Sequence, residues 1–194
     1  KRSTLLFCPT QTAINNLRKE GITQGVYHVG DVMYDATLYF AEQAQKTSSI
    51  LQQLQIVSKQ YYLATIHRAQ TTDNTEKLEN IIRAFQQIHL PIILPLHPRT
   101  KKVIDNSIVL TKLIQESPKL RIIDSVSYLD MLLLEKHAAL ILTDSGGVQK
   151  EAYFHHTPCI TMREETEWVE TVEAGWNTIV GTNTNRILQA VQSL

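Results

Sequence analysis

Polar side chains that can bind anions or transfer protons follow several apolar runs of the sequence. His67 and Arg68 come directly after the run Tyr61–Ile66, and His97 follows the run Ile92–Leu96. Arginine binds phosphate oxygens through paired N–H groups, and histidine can exchange a proton near neutral pH. These positions therefore favour an anionic ligand, such as a diphosphate, over a loop that only caps a helix with solvated charges. For His97 the two interpretations are equally supported.

The stretch Leu140–Ala152 predicts a buried strand, a tight turn and the beginning of a helix. Asp144 and Ser145 can cap this helix, and Gly146 and Gly147 allow close backbone approach or positive φ. The first turn of a helix presents free N–H groups and a positive dipole end, which suits a phosphate or diphosphate. A plain strand-to-helix connection is the alternative, and this stretch alone supports both about equally.

Other candidates lie near the same stretch. Glu151 follows one to two turns into the helix, where a carboxylate suits the hydroxyl pair of a ribose better than a phosphate. Arg163 and Thr166 belong to a charged loop that should adjoin the glycine turn, although such loops are often only solvated. His155 and His156 resemble a metal pair only superficially, because adjacent residues point in different directions and no third ligand is near. We expect them at a helix terminus rather than at a metal site.

Alternating strands and helices must position these residues. The expected strands of the main domain are Tyr61–Ile66, Ile92–Leu96, Leu120–Ile123, Leu140–Leu142, Cys159–Thr161 and Thr178–Val180. The expected helices are Val32–Gln45, Ser48–Gln55, Asn74–Ile88, Arg99–Gln115 with a break near Asn106, Tyr128–Lys136, Val148–His155, Glu167–Ala174 and Asn185–Leu194. About six strands alternating with helices predict an α/β fold with a Rossmann-like, doubly wound parallel sheet. Ligands of such sheets bind outside the carboxyl ends of the strands, where the candidate residues cluster.

The first part of the chain has a different pattern. Two short strands, Leu5–Cys8 and Val26–Val29, flank a helix over Gln11–Lys19. They are typical of the end of a sheet whose earlier strands are absent. We therefore expect residues 1–30 to be the tail of one domain and residues 31–194 to form a second, nucleotide-binding domain.

Composition excludes several classes of function. The chain has 194 residues, of which 43% are hydrophobic, enough for a substantial core. Its 19 basic residues balance its 19 acidic residues, so no global field favours nucleic acid or an anionic membrane. No apolar run is long enough to span a bilayer, and we do not expect a signal peptide. Cys8 and Cys159 are expected to be reduced core thiols in a cytoplasmic protein.

Several motifs resemble the non-hydrolysing UDP-N-acetylglucosamine 2-epimerase family. The segments that carry the resemblance to its C-terminal domain are Thr143–Ala152, Pro158, Arg163–Glu167, Gly175 and Val180–Gly181. Thr65–Ala69 is similar to the family's other signature. Matches to the end of its N-terminal domain are Leu6–Thr10, Asn16–Leu17, Glu20–Gly21 and Val29–Asp31. The resemblance covers nearly the whole chain.

The resemblance implies one half of a GT-B-type enzyme, with two Rossmann-like domains and a nucleotide sugar between them. Members invert C2 of UDP-N-acetylglucosamine to give the manno epimer, by elimination of UDP and its re-addition. Carried over by position, Ser145, Gly146 and Gly147 would hold the diphosphate, Glu151 would bind the ribose, backbone near Ser127 and Tyr128 would receive the uracil, and His67 and Arg163 would line the site. We predict His67 as the catalytic residue of this chain. Arg68, His97 and Thr166 complete the expected binding set, and the resemblance implies no metal or redox cofactor.

Two departures affect the expected substrate and regulation. Gln70 and Thr71 stand where the family usually has Glu and Asn, and that Glu helps to bind UDP-N-acetylglucosamine as an activator in some members. The segment Thr166–Glu170 contains Trp-Val where Arg-Pro is commoner, as in relatives that epimerise other 2-acetamido sugars, including diacetamido uronic acids. The family's acid/base carboxylates precede the matched region, and its last helix follows it. The chain alone is therefore expected to bind UDP without turnover.

Two other classes of function remain open at this point. The nucleotide-binding half of a GT-B glycosyltransferase would use the same glycine turn and ribose carboxylate. A non-catalytic nucleotide-binding α/β module would use them without any reaction. The resemblance further implies a homodimer for the intact protein, whereas a separated half could be monomeric.

Overall fold

The computed structural model describes residues 3–194, which form two parallel sheets surrounded by helices. The strands are β1 (Leu6–Cys8), β2 (Val26–His28), β3 (Tyr62–Thr65), β4 (Ile92–Pro95), β5 (Leu120–Ile123), β6 (Leu140–Thr143), β7 (Cys159–Thr161) and β8 (Asn177–Ile179). The helices are α1 (Gln11–Lys19), α2 (Val32–Thr47), α3 (Ile50–Gln53), α4 (Ala69–Thr72), α5 (Thr75–Gln87), α6 (Pro98–Asp105), α7 (Ile108–Gln115), α8 (Tyr128–His137), α9 (Gly146–Phe154), α10 (Val169–Glu173) and α11 (Thr184–Gln192).

The larger sheet has six parallel strands in the order β5-β4-β3-β6-β7-β8. The strand order reverses between β3 and β6, which are neighbours from the Tyr62–Leu140 pair to the Thr65–Thr143 pair. A hydrogen bond of 2.6 Å joins the hydroxyls of Thr65 and Thr143 at the carboxyl end of this pair. Such a reversal opens a crevice at the carboxyl edge, so the fold itself selects this position for a ligand.

Each face of the six-stranded sheet has its own core. Alternate residues of β3 and its approach point to opposite faces, as the pleat requires. Tyr62 and Ala64 join a cluster with α5, whose Phe85 is fully buried. Tyr61 and Leu63 instead pack with residues of α8 and α9. Helices therefore cover both faces, and the predicted doubly wound α/β sheet is confirmed.

The predicted elements agree closely with the structure. The break near Asn106 is confirmed, because α6 and α7 are separate helices and Ser107 caps the second one. Helix α4, directly after Arg68, was not predicted. It has only four residues, too few to show a hydrophobic period.

The first segment pairs its two strands in a sheet of their own. β1 and β2 are parallel, and neither joins the six-stranded sheet. Helix α2 then begins at Val32 and is capped by Asp31, whose carboxylate accepts a hydrogen bond of 3.0 Å from the backbone N–H of Met33. The domain boundary after residue 30 stays a prediction. Across residues 3–194, no helix is long and apolar enough to cross a membrane.

Candidate functional site

Asp144 connects the carboxyl ends of the two central strands. Its fully buried carboxylate accepts hydrogen bonds from the backbone N–H groups of His67, at 3.0 and 3.1 Å, and Arg68, at 2.9 Å. The prediction that Asp144 caps the next helix is wrong, because its oxygens point across the crevice to the loop after β3. Ser145 alone caps α9, accepting from the backbone N–H of Val148 at 3.5 Å.

His67 lies at the crevice, and its surroundings favour the neutral form of its imidazole ring. Burial lowers its pKa, the Asp144 carboxylate opposes that shift, and the charges of His97 and Arg68 add to it. The two imidazole rings are 5.3 Å apart. Nδ1 of His97 accepts a hydrogen bond of 3.1 Å from the backbone N–H of Arg99, which leaves its Nε2 to carry the proton of the neutral ring. Neutral His67 can accept a proton or donate one from a single ring nitrogen.

A cavity of about 360 Å³ opens beside these histidines. Its lining residues are Thr65, Ile66, His67, Pro95, His97, Ser125, Val126, Ser127, Tyr128, Met131 and Val148. The wall is therefore mostly apolar with a few polar groups, as is common for a site that receives a flat ring. The hydroxyl of Ser127 is occupied, since it caps α8 and donates to Asp130 at 2.7 Å. Backbone groups of this loop are then available to a ligand in place of the Ser127 hydroxyl.

The two glycines of the central motif lie inside the first turn of α9. Neither has positive φ, so that part of the prediction is wrong. Close approach is the observed reason for Gly146, because a Cβ there would lie 3.2 Å from Nε1 of Trp168 and 3.4 Å from both Arg68 Nη2 and a Glu167 carboxylate oxygen. The free N–H groups of this turn face the crevice edge and can bind an anion.

Arg163 and Arg68 share one carboxylate above this helix terminus. Arg163 donates to Glu167 at 2.9 Å, and Arg68 lies 3.6 Å from the other oxygen of Glu167. Partial burial acts to raise the pKa of Glu167. Backbone hydrogen bonding and the two arginines outweigh this effect and hold the pKa below its ordinary value. The site therefore carries two guanidinium groups in contact with one anionic group.

Thr166 is tied to the protein rather than exposed to the crevice. Its hydroxyl donates to Gln149 at 2.5 Å and accepts from the backbone N–H of Trp168 at 3.0 Å. Gln149 also accepts from the side chain of Asn177 at 3.2 Å. Thr166 therefore fixes the loop after β7 against α9, and a direct contact with ligand stays a prediction.

Glu151 is almost fully buried beneath the cavity. Burial raises its pKa, while the hydroxyl of Tyr128, the Glu135 carboxyl and the charge of Lys150 act in the opposite direction. Burial and then the Glu151 charge raise the pKa of Tyr128, so its hydroxyl stays protonated at neutral pH. Glu135 on α8 is completely buried against this carboxylate, and sequence reasoning missed it because no periodic pattern singles it out.

Lys150 is a second residue that sequence reasoning missed. It is nearly buried, forms an ion pair with Asp31 and lies 4.1 Å from the ring centroid of Trp168. The contact joins α9 to the beginning of α2 and to the loop after β7. Its place beside Glu151 in the glycine-turn motif is the signal that could have identified it.

The structure brings nearly all predicted site residues to one edge of the sheet. His155 and His156 end α9, as expected for a helix terminus. Within the described range 3–194, no cluster of three or more His, Cys, Asp or Glu side chains could hold a metal ion.

The fold and the site define a Rossmann-like α/β domain of the GT-B type, with its polar residues at the carboxyl edge of the sheet. The family model described as UDP-N-acetylglucosamine 2-epimerase matches residues 1–194. The chain belongs to the UDP-N-acetylglucosamine 2-epimerase family.

Individual relatives agree with this assignment. A UDP-N-acetylglucosamine 2-epimerase homolog of Methanococcus maripaludis is 50% identical over 97% of this chain and 53% of its own length. A UDP-2,3-diacetamido-2,3-dideoxy-D-glucuronate 2-epimerase of Pseudomonas aeruginosa is 42% identical over 98% of this chain and 52% of its own. The crystal structure of the Methanocaldococcus jannaschii UDP-GlcNAc 2-epimerase in complex with UDP-GlcNAc and UDP matches with a TM-score of 0.91 and 43% identity, over 98% of this chain and 54% of that one. The chain thus spans about half the length of the relatives that it matches.

Proposed function

We propose that this chain forms the UDP-binding half of an epimerase that inverts C2 of a UDP-2-acetamido sugar. The observation that carries the proposal is the coincidence, on one sheet edge, of a base-sized cavity, a glycine-containing helix N-terminus and a buried carboxylate. UDP consists of a flat base, a ribose with two hydroxyls and a diphosphate. Each of these three parts has a chemically matched element within the candidate site.

The nucleotide is expected to lie along this edge. The uracil would enter the cavity beside Ser127 and Tyr128 and hydrogen-bond to backbone groups there. The diphosphate would accept hydrogen bonds from the first turn of α9, next to Arg68 and Arg163. The ribose hydroxyls would donate to Glu151, because an ionised carboxylate only accepts hydrogen bonds.

The proposed reaction is an elimination followed by a re-addition. A base removes the proton from C2 of the sugar, and the bond between C1 and the UDP oxygen breaks, which leaves a glycal and UDP. UDP then adds back to C1 while C2 receives a proton on the opposite face. Neutral His67 would lie near the leaving oxygen, and the resemblance assigns the C2 acid and base to the N-terminal domain of the family.

The sugar is proposed to be UDP-N-acetylglucosamine or a related UDP-2-acetamido sugar. A relative named as a UDP-N-acetylglucosamine 2-epimerase is 43% identical to this chain, and one named for the diacetamido uronic acid is 42% identical. The Trp168 side chain, which replaces the commoner arginine, borders the site and stacks on Lys150. We expect these two residues to influence which sugar the intact protein accepts.

Calorimetric titration of the chain with UDP tests the nucleotide site. We expect UDP to bind more tightly than uridine or ADP, and Glu151→Ala to weaken UDP binding by at least tenfold, about 1.4 kcal/mol, through loss of the ribose acceptor. Glu116→Ala, an exposed residue at the end of α7, is the matched control and should change nothing. Equal binding of UDP by Glu151→Ala and the wild type would contradict the proposed site.

A turnover assay on the intact protein separates the remaining classes of function. An epimerase converts a UDP-sugar without an acceptor and exchanges the C2 hydrogen with deuterated solvent. A glycosyltransferase needs an acceptor for conversion, and a non-catalytic module shows no turnover. Epimerisation by the 194-residue chain alone would refute the proposal that it is only the binding half.

A further inference from the structure

Two carboxyl groups meet between α8 and α9, directly behind the proposed ribose site. Glu135 is fully buried, and Glu151 is only 7% exposed. Among residues 3–194, no donor reaches either carboxyl oxygen of Glu135. The Glu151 carboxyl on α9 faces it, and both the charge and the hydrogen bonding of Glu151 act with burial to raise the pKa of Glu135.

An ionised Glu135 would be physically implausible in this position. Two buried acceptor oxygens would lack donors, and a second negative charge would lie beside them. A protonated Glu135 resolves both problems, because its O–H can donate to Glu151. Two adjacent carboxyl groups that share one proton are a recognised solution to such repulsion.

The proton belongs on Glu135 rather than on Glu151. Glu135 is the more deeply buried of the two, and burial is the largest cause of its strongly raised pKa. Glu151 has the Tyr128 hydroxyl and the Lys150 charge beside it, and both favour its ionised form. The pair therefore consists of a protonated Glu135, which donates a hydrogen bond, and an ionised Glu151, which accepts it.

We propose that Glu135 is a positioning residue for nucleotide binding, which holds the Glu151 carboxylate toward the ribose by donating one shared proton to it. The inference rests on the proposed function, because Glu151 must contact the ribose for its orientation to matter. Glu135 itself does not touch the nucleotide. Its hydrogen bond fixes one carboxylate oxygen, so that the other is free to accept from a ribose hydroxyl.

Several titratable groups face the two carboxyls, but we expect only the proton shared by Glu135 and Glu151 to titrate. They are Tyr128 from α8, Tyr61 before β3, Cys159 from β7 and Lys150 from α9. Burial raises the pKa of both tyrosines and of the Cys159 thiol, the thiol to about 12, so these groups stay neutral. The Lys150 ammonium is paired with Asp31. Loss of the shared proton at alkaline pH would leave two adjacent buried anions and turn Glu151 away from its position.

Two substitutions of similar size separate the donor role from packing. Glu135→Gln keeps a donor, since its amide N–H can bond to Glu151, but it cannot lose a proton. Glu135→Leu fills the space without any donor. We expect Glu135→Leu to weaken UDP binding roughly tenfold at neutral pH, and Glu135→Gln to stay within about twofold of the wild type.

The pH dependence of UDP binding distinguishes this role from a purely structural role of Glu135, which would not affect it. UDP binding by the wild type should weaken toward alkaline pH, and calorimetry in buffers of different ionisation enthalpy should detect proton uptake on binding there. Glu135→Gln should lose both effects, whereas the exposed control Glu116→Gln should keep them. If Glu135→Leu is too unstable to titrate, the Glu135→Gln profile decides alone.

Each outcome supports or overturns a distinct statement. If Glu151→Ala abolishes UDP binding while both Glu135 variants behave as the wild type at every pH, the positioning role is refuted and the nucleotide site stands. If Glu151→Ala binds UDP as the wild type does, the proposed ribose contact fails, and the role of Glu135 fails with it.

Discussion

Removal of the Asp144 carboxylate should loosen the loop after β3 and displace His67. Asp144 is fully buried and accepts from two backbone N–H groups, at 2.9 to 3.1 Å. Asp144→Ala leaves both donors without this partner. A hydrogen bond to a charged group contributes about 1.5–3 kcal/mol, but water can reach the half-exposed loop. We therefore expect destabilisation of about 3 kcal/mol.

Thermal and urea unfolding measure this loss. For a domain of this size, about 3 kcal/mol corresponds to a fall in Tm of roughly 6–12 °C. Asp144→Asn should lose about half as much, because its amide keeps one acceptor oxygen. Asp124→Ala is the matched control, since Asp124 is exposed at the same sheet edge, and it should stay within about 0.5 kcal/mol of the wild type.

Local measurements test whether the effect arises at the crevice. Amide hydrogen exchange at His67 and Arg68 should accelerate in Asp144→Ala more than exchange elsewhere. The pKa of His67 should fall further below its ordinary value, because the carboxylate that opposes the effect of burial is gone. A loss below about 1 kcal/mol together with unchanged exchange at these amides would refute the assigned role of Asp144.

The two glycines and one histidine give further predictions. Gly146→Ala should weaken UDP binding in titrations, because its Cβ would lie 3.2 Å from Nε1 of Trp168. Gly147→Ala meets only ordinary contacts and should gain about 0.5–1 kcal/mol of helix stability in unfolding experiments. Weaker UDP binding by Gly147→Ala and higher stability of Gly146→Ala would contradict this geometry. Burial lowers the pKa of His155 to about 4, so the unfolded chain binds this proton first, and stability should fall as pH decreases from about 6.5 to 4. His155→Gln should reduce that acid-side loss by up to about 3 kcal/mol in urea unfolding, and an unchanged pH slope would argue against it.

The sequence alone determined the order of the elements and the edge of the sheet that carries the candidate site. Short apolar runs and a strongly periodic helix such as Asn74–Ile88 are local signals, and local periodicity is enough to identify strands and amphipathic helices. The rule that ligands bind at the carboxyl ends of parallel strands then grouped His67, Ser145 and Arg163 without any coordinates. The motif around Gly146 also indicated the protein family.

Only the tertiary structure decided which partner each polar side chain has. Asp144 was expected to cap its own helix, but it bonds instead to the loop after β3, because the strand order reverses beside it. Glu135 lies on a different helix from Glu151, and their contact depends on how α8 and α9 are rotated against each other. Such contacts join residues that are distant in sequence, and no local pattern specifies them. Packing therefore turned a set of candidate residues into a site with defined donors, acceptors and charges.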